Sequence, residues 1–472
     1  MSFQKERRQV ALKKSGDESP HSKRWRAEKK RENRLSIKIG FSVEDMKKRA
    51  LILGGGISGL ALAWKLSRSP QEWEVVLLEK SPQVGGWLQS DTSLGYHFEQ
   101  GPRTFRYQSN SLLLELIDAL GLQDALIFSS REAKKRFLWI EEKLQPMPSF
   151  YFLRKFLFTL LKERFVAPSA EEETIWDFAV RRFSPQVAEW LFDPIVLGIY
   201  AGNVRKLSLQ ACFPSIKKWE SEHGSLIRAF WKEKNKKKEK AALFSLKGGM
   251  HSLIAALQQQ TQAEICCGQE VKAVKFFENT VEVDTQERRW NADYLFSTLP
   301  PQVNAGLLQH LNPEIAELFS SLRSESITVV NLGYNQDLLS QKGFGYLIPS
   351  CEKEQVLGVV FDSALFPEQN RREKETRLTV MVRGLPVDAK EIALRAVAKQ
   401  LRITTQPEAI LITQAPCAIP QYEVGHQKKI ALLESRMLEH FPRFRLLGNY
   451  LQGVSVGDCL STLGRVIKNG QS

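Results

Sequence analysis

Arg49-Ala-Leu-Ile-Leu53 runs straight into Gly54-Gly-Gly-Ile-Ser-Gly59, and Leu60-Ala-Leu-Ala-Trp-Lys-Leu66 continues with small and apolar residues at helical spacing. The pattern predicts a buried strand, a tight glycine turn and a helix. A second apolar run, Trp73-Glu-Val-Val-Leu-Leu78, predicts another strand and ends in Glu79, 20 residues after Gly59. Strand, G-x-G-x-x-G turn, helix, strand and acid in this order form a dinucleotide-binding fingerprint. Gly54 permits the turn, Gly56 lets the backbone approach a pyrophosphate, and Gly59 allows close packing of helix on strand. Gly55, Ile57 and Ser58 complete the loop, where the helix amino terminus offers N–H groups to phosphate. Glu79, with Lys80 beside it, is placed to accept hydrogen bonds from ribose hydroxyls.

The chain has 472 residues with 67 Lys and Arg against 53 Asp and Glu, a formal net charge of +14, and 43% hydrophobic residues. That length predicts two or three domains and excludes neither a large core nor an enzyme. The charge suggests nucleic acid until its placement is read. Residues 1–50 hold 16 Lys and Arg against 7 Asp and Glu, leaving a nearly balanced 51 against 46 for the rest. The basic signal belongs to an extension, residues 1–45, which reads as disordered. It lacks the apolar stretch of a secretory signal, and its acids argue against a transit peptide. Met46-Lys-Lys-Arg49 directly precedes the first strand, so Met46 is the expected translation start. The six cysteines show neither C-x-x-C nor metal-ligand spacing, and no metal site is expected.

Past the ribose acid, Gly85-Gly86-Trp87 adds a second glycine pair, and Gly101-Pro102-Arg103-Thr104 follows as a turn carrying a fixed cation. Further on stand Gly198-Ile-Tyr-Ala-Gly-Asn203, Cys212-Phe-Pro-Ser215, Ser245-Leu-Lys-Gly-Gly249, Gly343-Phe-Gly-Tyr-Leu-Ile-Pro349 and Phe361-Asp-Ser363. Ile419-Pro-Gln-Tyr422, Gly425-His426 and Gly453-Val-Ser-Val-Gly-Asp-Cys459 close the series. With these motifs the sequence resembles the oxygen-dependent protoporphyrinogen/coproporphyrinogen oxidases of haem biosynthesis, over roughly residues 48–466. Gly457 and Leu463 depart from the family pattern without removing a group the chemistry requires.

The resemblance implies an α/β plus α architecture, a two-dinucleotide-binding-domain flavoprotein of the amine-oxidase type. A Rossmann-like FAD domain is expected from 46–110, 241–300 and 425–472, a helical membrane-contacting insertion from 111–240, and a mixed-sheet substrate domain from 301–424. One non-covalent FAD per chain would be held by the fingerprint, Glu79, Lys80, Gly86, Trp87 and Gly101–Thr104. Val271 would lie on its adenine side, and Val454, Ser455 and Val456 at its ring. Arg136 is expected to anchor a propionate, Phe344 and Leu347 to sandwich a pyrrole, and Met381 to line the pocket. The Gly198 backbone carbonyl is expected to orient or deprotonate the substrate. The implied reaction is six-electron oxidation of a porphyrinogen, protoporphyrinogen IX or alternatively coproporphyrinogen III, with O2 as acceptor and H2O2 as product.

Residues 150–165, Phe-Tyr-Phe-Leu-Arg-Lys-Phe-Leu-Phe-Thr-Leu-Leu-Lys-Glu-Arg-Phe, read as an aromatic, basic helix. Charges interrupt every run long enough to span a bilayer, so peripheral contact is expected rather than insertion. The six lysines and two glutamates of residues 232–240 read as a solvated loop. The expected setting is cytoplasmic, on the inner face of the cell membrane, without nucleic acid; a homodimer stays open. Two rival readings remain: another flavin oxidase or desaturase of the same fold, and a non-catalytic membrane- or nucleic-acid-binding protein.

Overall fold

The fingerprint strand lies at the centre of a parallel sheet. β1 (Lys48–Leu53) leads through the glycine turn into α1 (Ile57–Ser67), and the chain returns in β2 (Trp73–Leu78). β1 pairs in parallel with β2 on one side and with Tyr294–Ser297 on the other. Glu264–Cys266 and Phe444–Leu446 add the outer strands, giving five. Ala50 and Ile52 pack into the core on the α1 side, Leu51 and Leu53 into the core opposite. A parallel sheet covered on both faces needs apolar residues at every position, which is why β1 reads as an unbroken run. The computed structural model describes residues 47–108, 111–147, 159, 162–234 and 243–464. The expectations for the basic extension, for most of the 150–165 helix and for most of the lysine-rich loop lie outside them.

The glycines of the turn have separate duties. Gly54 has a φ of +97°, a conformation that L side chains rarely adopt. A Cβ at Gly59 would stand 2.0 Å from the Gly54 carbonyl oxygen, so α1 sits closer to β1 than any side chain permits. A Cβ at Gly56, in contrast, would meet nothing within 4 Å. The side of Gly56 is open where a ligand would arrive.

A second sheet has seven strands, in the order Ala409–Pro420, Ser324–Tyr334, Thr376–Arg383, Val356–Phe361, Gly345–Leu347, Arg136–Ile140 and Lys143–Met147. All pairs are antiparallel except Gly345–Leu347 with Arg136–Ile140, so the sheet is mixed. Val330, Leu332, Val380 and Val382 face helix Ala389–Leu401 and form one core with its Ile392, Ala393 and Val397. Alternation then turns Ile327, Val329 and Met381 to the opposite face. A three-stranded meander, Val271–Phe276, Val281–Thr285 and Arg289–Ala292, contains the hairpin legible around Glu278-Asn279.

The expected helical stretch 111–240 needs correction. Among its described residues are helices Leu112–Ala119, Ile175–Arg182, Asp193–Tyr200 and Pro214–His223. Arg136–Ile140 and Lys143–Met147, however, are strands of the second sheet, and Leu126–Phe128 pairs with Leu243–Leu246. Phe137 and Trp139 pack into one core and Leu138 and Ile140 into another. A short apolar run buried on both faces carries no period that separates strand from helix. No helix among the described residues is long and apolar enough to cross a membrane.

Where Ala409–Pro420 ends, Tyr422 is 1% exposed and stacks on His426, with ring centroids 4.3 Å apart. Burial pushes the His426 pKa down from 6.5 to about 4, against the opposing effect of the Tyr450 and Leu451 backbone carbonyls, which favour a protonated ring. The native ring therefore stays neutral at pH values where the unfolded chain takes up a proton. Stability from this site is complete above pH 6.5 and lost as pH falls toward 4, a change of up to about 3 kcal/mol. Denaturant unfolding at pH 7 and pH 4.5 should show that loss in the parent and a smaller one in His426→Phe. A second expectation concerns the turn. Gly59→Ala should lose roughly 1–3 kcal/mol by overpacking against main chain, whereas Gly56→Ala should unfold within about 0.5 kcal/mol of the parent.

Candidate functional site

The carboxyl ends of the parallel strands carry the first half of the site, as in other open α/β sheets. The first intrahelical bond of α1 runs from the Leu60 N–H to the Gly56 carbonyl, which leaves the amides before Leu60 outside the helix ladder. Gly85 N–H donates to the Gly55 carbonyl at 2.8 Å, locking the second glycine pair against the first. A Cβ at Gly86 would stand 3.2 Å from the Gly56 Cα, so Gly86 also passes where a side chain crowds the turn. The Glu79 carboxylate accepts from the Gly55 N–H at 2.6 Å and from the Ser81 N–H at 2.8 Å. Glu79 thus holds the turn itself, and its remaining lone pairs are what a ribose could engage. Lys80 is exposed beside it, and half-buried Val271 opens the meander strand.

A cavity of about 510 Å³ lies between Trp87, the Gln100–Thr104 segment and the second sheet; Gly54–Gly59, Glu79, Lys80, Gly86, Val271, Ser455 and Val456 are not among its lining residues. On one side it is lined by Trp87, Gly101, Pro102, Arg103, Thr104, Asn449 and Val454, on the other by Arg136, Phe344, Leu347 and Met381, with Gly198 between. All five residues expected at a substrate thus share one cavity with six of those expected at a cofactor. Ile327, Val329, Ile195 and Ile199 complete apolar walls that the sequence reading did not name. Period-2 alternation flanking Thr328 carried the signal for the first pair. An i, i+4 spacing on helix Asp193–Tyr200 carried it for the second.

That helix is fixed at its start by Asp193, 4% exposed, which accepts from the Ser350 N–H at 2.6 Å and from its hydroxyl at 2.9 Å. Burial raises the Asp193 pKa despite those bonds. Gly198 lies in the last turn, where carbonyls have no N–H partner within the helix. Its Cβ position is 2.6 Å from the Leu347 side chain, so glycine here lets helix and sheet close on each other.

The two arginines of the cavity differ. Arg103, 6% exposed, pairs with Asp362 at 3.0 Å and donates to the Gly101 carbonyl at 3.3 Å. The other Asp362 oxygen meets the Thr379 hydroxyl at 2.7 Å, which also lies 2.7 Å from the Asn331 side-chain oxygen. Asn331 in turn donates to the Glu99 carbonyl at 3.0 Å. This buried chain ties the Glu99–Thr104 loop to the second sheet, and it neutralises the cation expected beside the cofactor. Arg136 is exposed, with its guanidinium 5.2 Å from the Phe344 ring centroid and no carboxylate partner among the described residues. Its charge is available to a ligand.

At the last loop the expectation of helix-start amides facing a ring is narrowed. Ser455 caps helix Val456–Ser461 in a capping box, and its own N–H is taken by Asp458 at 3.1 Å. Val454 lines the cavity, and Val456 is buried. Cys459 is buried, with its thiol pushed up to about 12 by burial, a setting unsuited to nucleophilic attachment of a cofactor. No group of three or more His, Cys, Asp or Glu side chains among the described residues is arranged to hold a metal ion.

Residues 57–462 match the family described as flavin containing amine oxidoreductase. Human protoporphyrinogen oxidase is 31% identical over 467 residues, covering 88% of this chain and 97% of the human protein. Coproporphyrinogen III oxidase of Bacillus subtilis is 27% identical over 460 residues, covering 89% and 97%. Among solved structures, a protein from Exiguobacterium sp. 255-15 superposes with a TM-score of 0.80 at 22% identity, covering 90% of this chain and 99% of that one. Reduced UDP-galactopyranose mutase gives 0.70 at 13% identity, covering 90% and 95%. By its glycine turn, its two sheets and these matches, the chain belongs to the flavin-containing amine oxidoreductases and, among them, to the porphyrinogen oxidases.

Proposed function

We propose that this chain oxidises protoporphyrinogen IX to protoporphyrin IX, with 3 O2 reduced to 3 H2O2. The observation that carries this reading is the cavity's charge. Arg103 and Arg136 are the only Lys or Arg among the described residues that line it, and Asp362 neutralises the first. One uncompensated cation between apolar walls suits a ring with two propionates better than coproporphyrinogen with four. The 31% identity to human protoporphyrinogen oxidase, against 27% to the Bacillus subtilis coproporphyrinogen III oxidase, points the same way.

The cofactor is read as one non-covalently bound FAD. Gly54–Gly59 and Gly85-Gly86 offer a backbone cradle with open space at Gly56, Glu79 has lone pairs for a ribose, and Cys459 is an unreactive thiol. Held there, FAD would supply a two-electron acceptor for the macrocycle, with O2 as terminal acceptor. The chain's own part is orientation. Arg136 holds a propionate at the mouth while Phe344 and Leu347 grip a pyrrole. Met381, Val329 and Ile327 exclude water from the face where carbon–hydrogen bonds break. The Gly198 carbonyl receives a pyrrole N–H. Three such two-electron rounds need the ring to be regripped, which broad apolar walls permit and a hydrogen-bonded cage would not.

The reading also places the protein in the cytoplasm, against the inner face of the membrane. Phe165, Phe230 and Trp231 are 75%, 58% and 64% exposed, with Arg164, Arg228 and Lys232 nearby in sequence. Aromatic side chains flanked by cations suit a headgroup boundary. Sedimentation with anionic vesicles should carry the parent down and leave a Phe165→Ser/Phe230→Ser variant largely in the supernatant; equal partition of both would remove the contact.

Anaerobic flavin reduction by protoporphyrinogen IX and coproporphyrinogen III, side by side, tests the activity. Faster reduction by the former is expected, and no reduction by either overturns the proposal. Arg136→Ala should raise KM about tenfold with little change in kcat, the pattern of lost uniform binding. Steady-state kinetics with unaltered KM would take Arg136 out of the site.

A further inference from the structure

Three walls of the cavity meet at two adjacent residues that the reaction itself does not use. Ala418 and Ile419 belong to strand Ala409–Pro420, Gly198 to helix Asp193–Tyr200, and Asn449 to the short helix Asn449–Gln452 that precedes Val454. Just beyond the strand, Gln421 and Tyr422 send their side chains into two different walls.

Gln421 is 7% exposed, and its amide Nε2 donates to the Tyr200 carbonyl at 2.8 Å and to the Ile419 carbonyl at 3.1 Å. Tyr200 is the last residue of the helix that carries Gly198, and its carbonyl has no helical partner. Ala201 then turns left-handed at φ +49°, and a Cβ at Gly202 would stand 2.1 Å from the Gln421 Oε1. The helix end is therefore shaped around this one amide. Tyr422, 1% exposed, donates its hydroxyl to the Asn449 carbonyl, and the Asn449 side chain donates back to the Ala418 carbonyl at 3.1 Å. The Tyr422 carbonyl also accepts from the Ser208 N–H at 2.8 Å, and its ring stacks on neutral His426.

We propose that Gln421 and Tyr422 form a two-sided brace that sets the gap between substrate and flavin. Gln421 is the positioning residue for Gly198, and Tyr422 the positioning residue for the Asn449–Val454 segment. Neither touches the cavity; each acts through the wall it holds. A hydride moves only across a short, well-aligned gap, so a displacement of either wall lowers the rate without removing a reacting group. The division of labour rests on the flavin and porphyrinogen reading above and predicts that the two halves fail differently.

The test uses the full-length, flavin-loaded protein with two conservative variants. Gln421→Met keeps the volume and removes the donor; Tyr422→Phe keeps the ring and the stack and removes the hydroxyl. Gln421→Met should slow anaerobic flavin reduction about tenfold, the scale of one buried hydrogen bond, with the flavin absorption spectrum unchanged. Tyr422→Phe should shift that spectrum and raise the flavin release rate several-fold, with KM for the porphyrinogen unchanged. If both variants lose the same parameters in the same proportion, or lose only melting temperature, the brace is overturned. Spectrum and release rate are read without substrate, so an inactive parent would reject the porphyrinogen reading and still leave the Tyr422 half decided.

Discussion

The contact on which the rest depends is the approach of Gly59 to the Gly54 carbonyl. Because no side chain intervenes, α1 lies directly on β1, and its first amides come to the end of the strand instead of beyond it. Glu79 then reaches back from the neighbouring strand to hold the turn by the Gly55 N–H. Gly85 pairs with Gly55 from the other side. Each later feature is measured from that fixed point: the loop bearing Arg103, the Asp362 that balances it, and the second sheet that Asp362 and Asn331 bring alongside. The cavity lies between the second sheet and the segments that face it, Gln100–Thr104, helix Asp193–Tyr200 and Asn449 with Val454, and hydrogen bonds between main chain and buried polar side chains hold those segments in place.

That arrangement explains an economy of charged groups. Acid–base catalysis calls for titratable side chains held near their working pKa. Here the buried ionisable groups near the cavity are paired or serve as hydrogen-bond anchors: Asp362 with Arg103, and Asp193 with Ser350. The cavity wall is left to apolar side chains and glycines, which fits a protein that shapes and dries a space around a cofactor.

Much of this was legible in the chain. Glycine spacing, apolar runs and the acid after the second strand made the strand, turn, helix and strand of the first half legible, since each glycine answers a local steric demand. Met381 and Phe344 fell on one cavity because motif resemblance preserves positions even where physics leaves core packing equally plausible. What stayed hidden was tertiary. Arg103 meets Asp362 across 259 positions, and nothing near Arg103 in sequence announces that its charge is cancelled. Phe137–Ile140 reads as part of a helical region because a short run buried on both faces shows no period, although one strand partner, Lys143–Met147, is adjacent; the other, Gly345–Leu347, comes some two hundred residues later. The Ser455 amide, which reads as free in the linear chain, donates to its capping partner Asp458.

The place of Arg136–Ile140 in the second sheet has a consequence for how the cavity wall can move. A segment that merely rested on the substrate sheet could swing away from it as a door. Arg136–Ile140 is instead woven into that sheet, parallel to one neighbour and antiparallel to the next. Opening such a seam would sever a row of backbone hydrogen bonds at once. Ile195 and Ile199, which line the cavity from helix Asp193–Tyr200, are instead 38% and 44% exposed. That part of the wall is made of side chains alone, and reshaping it would break no ladder bond of the sheet.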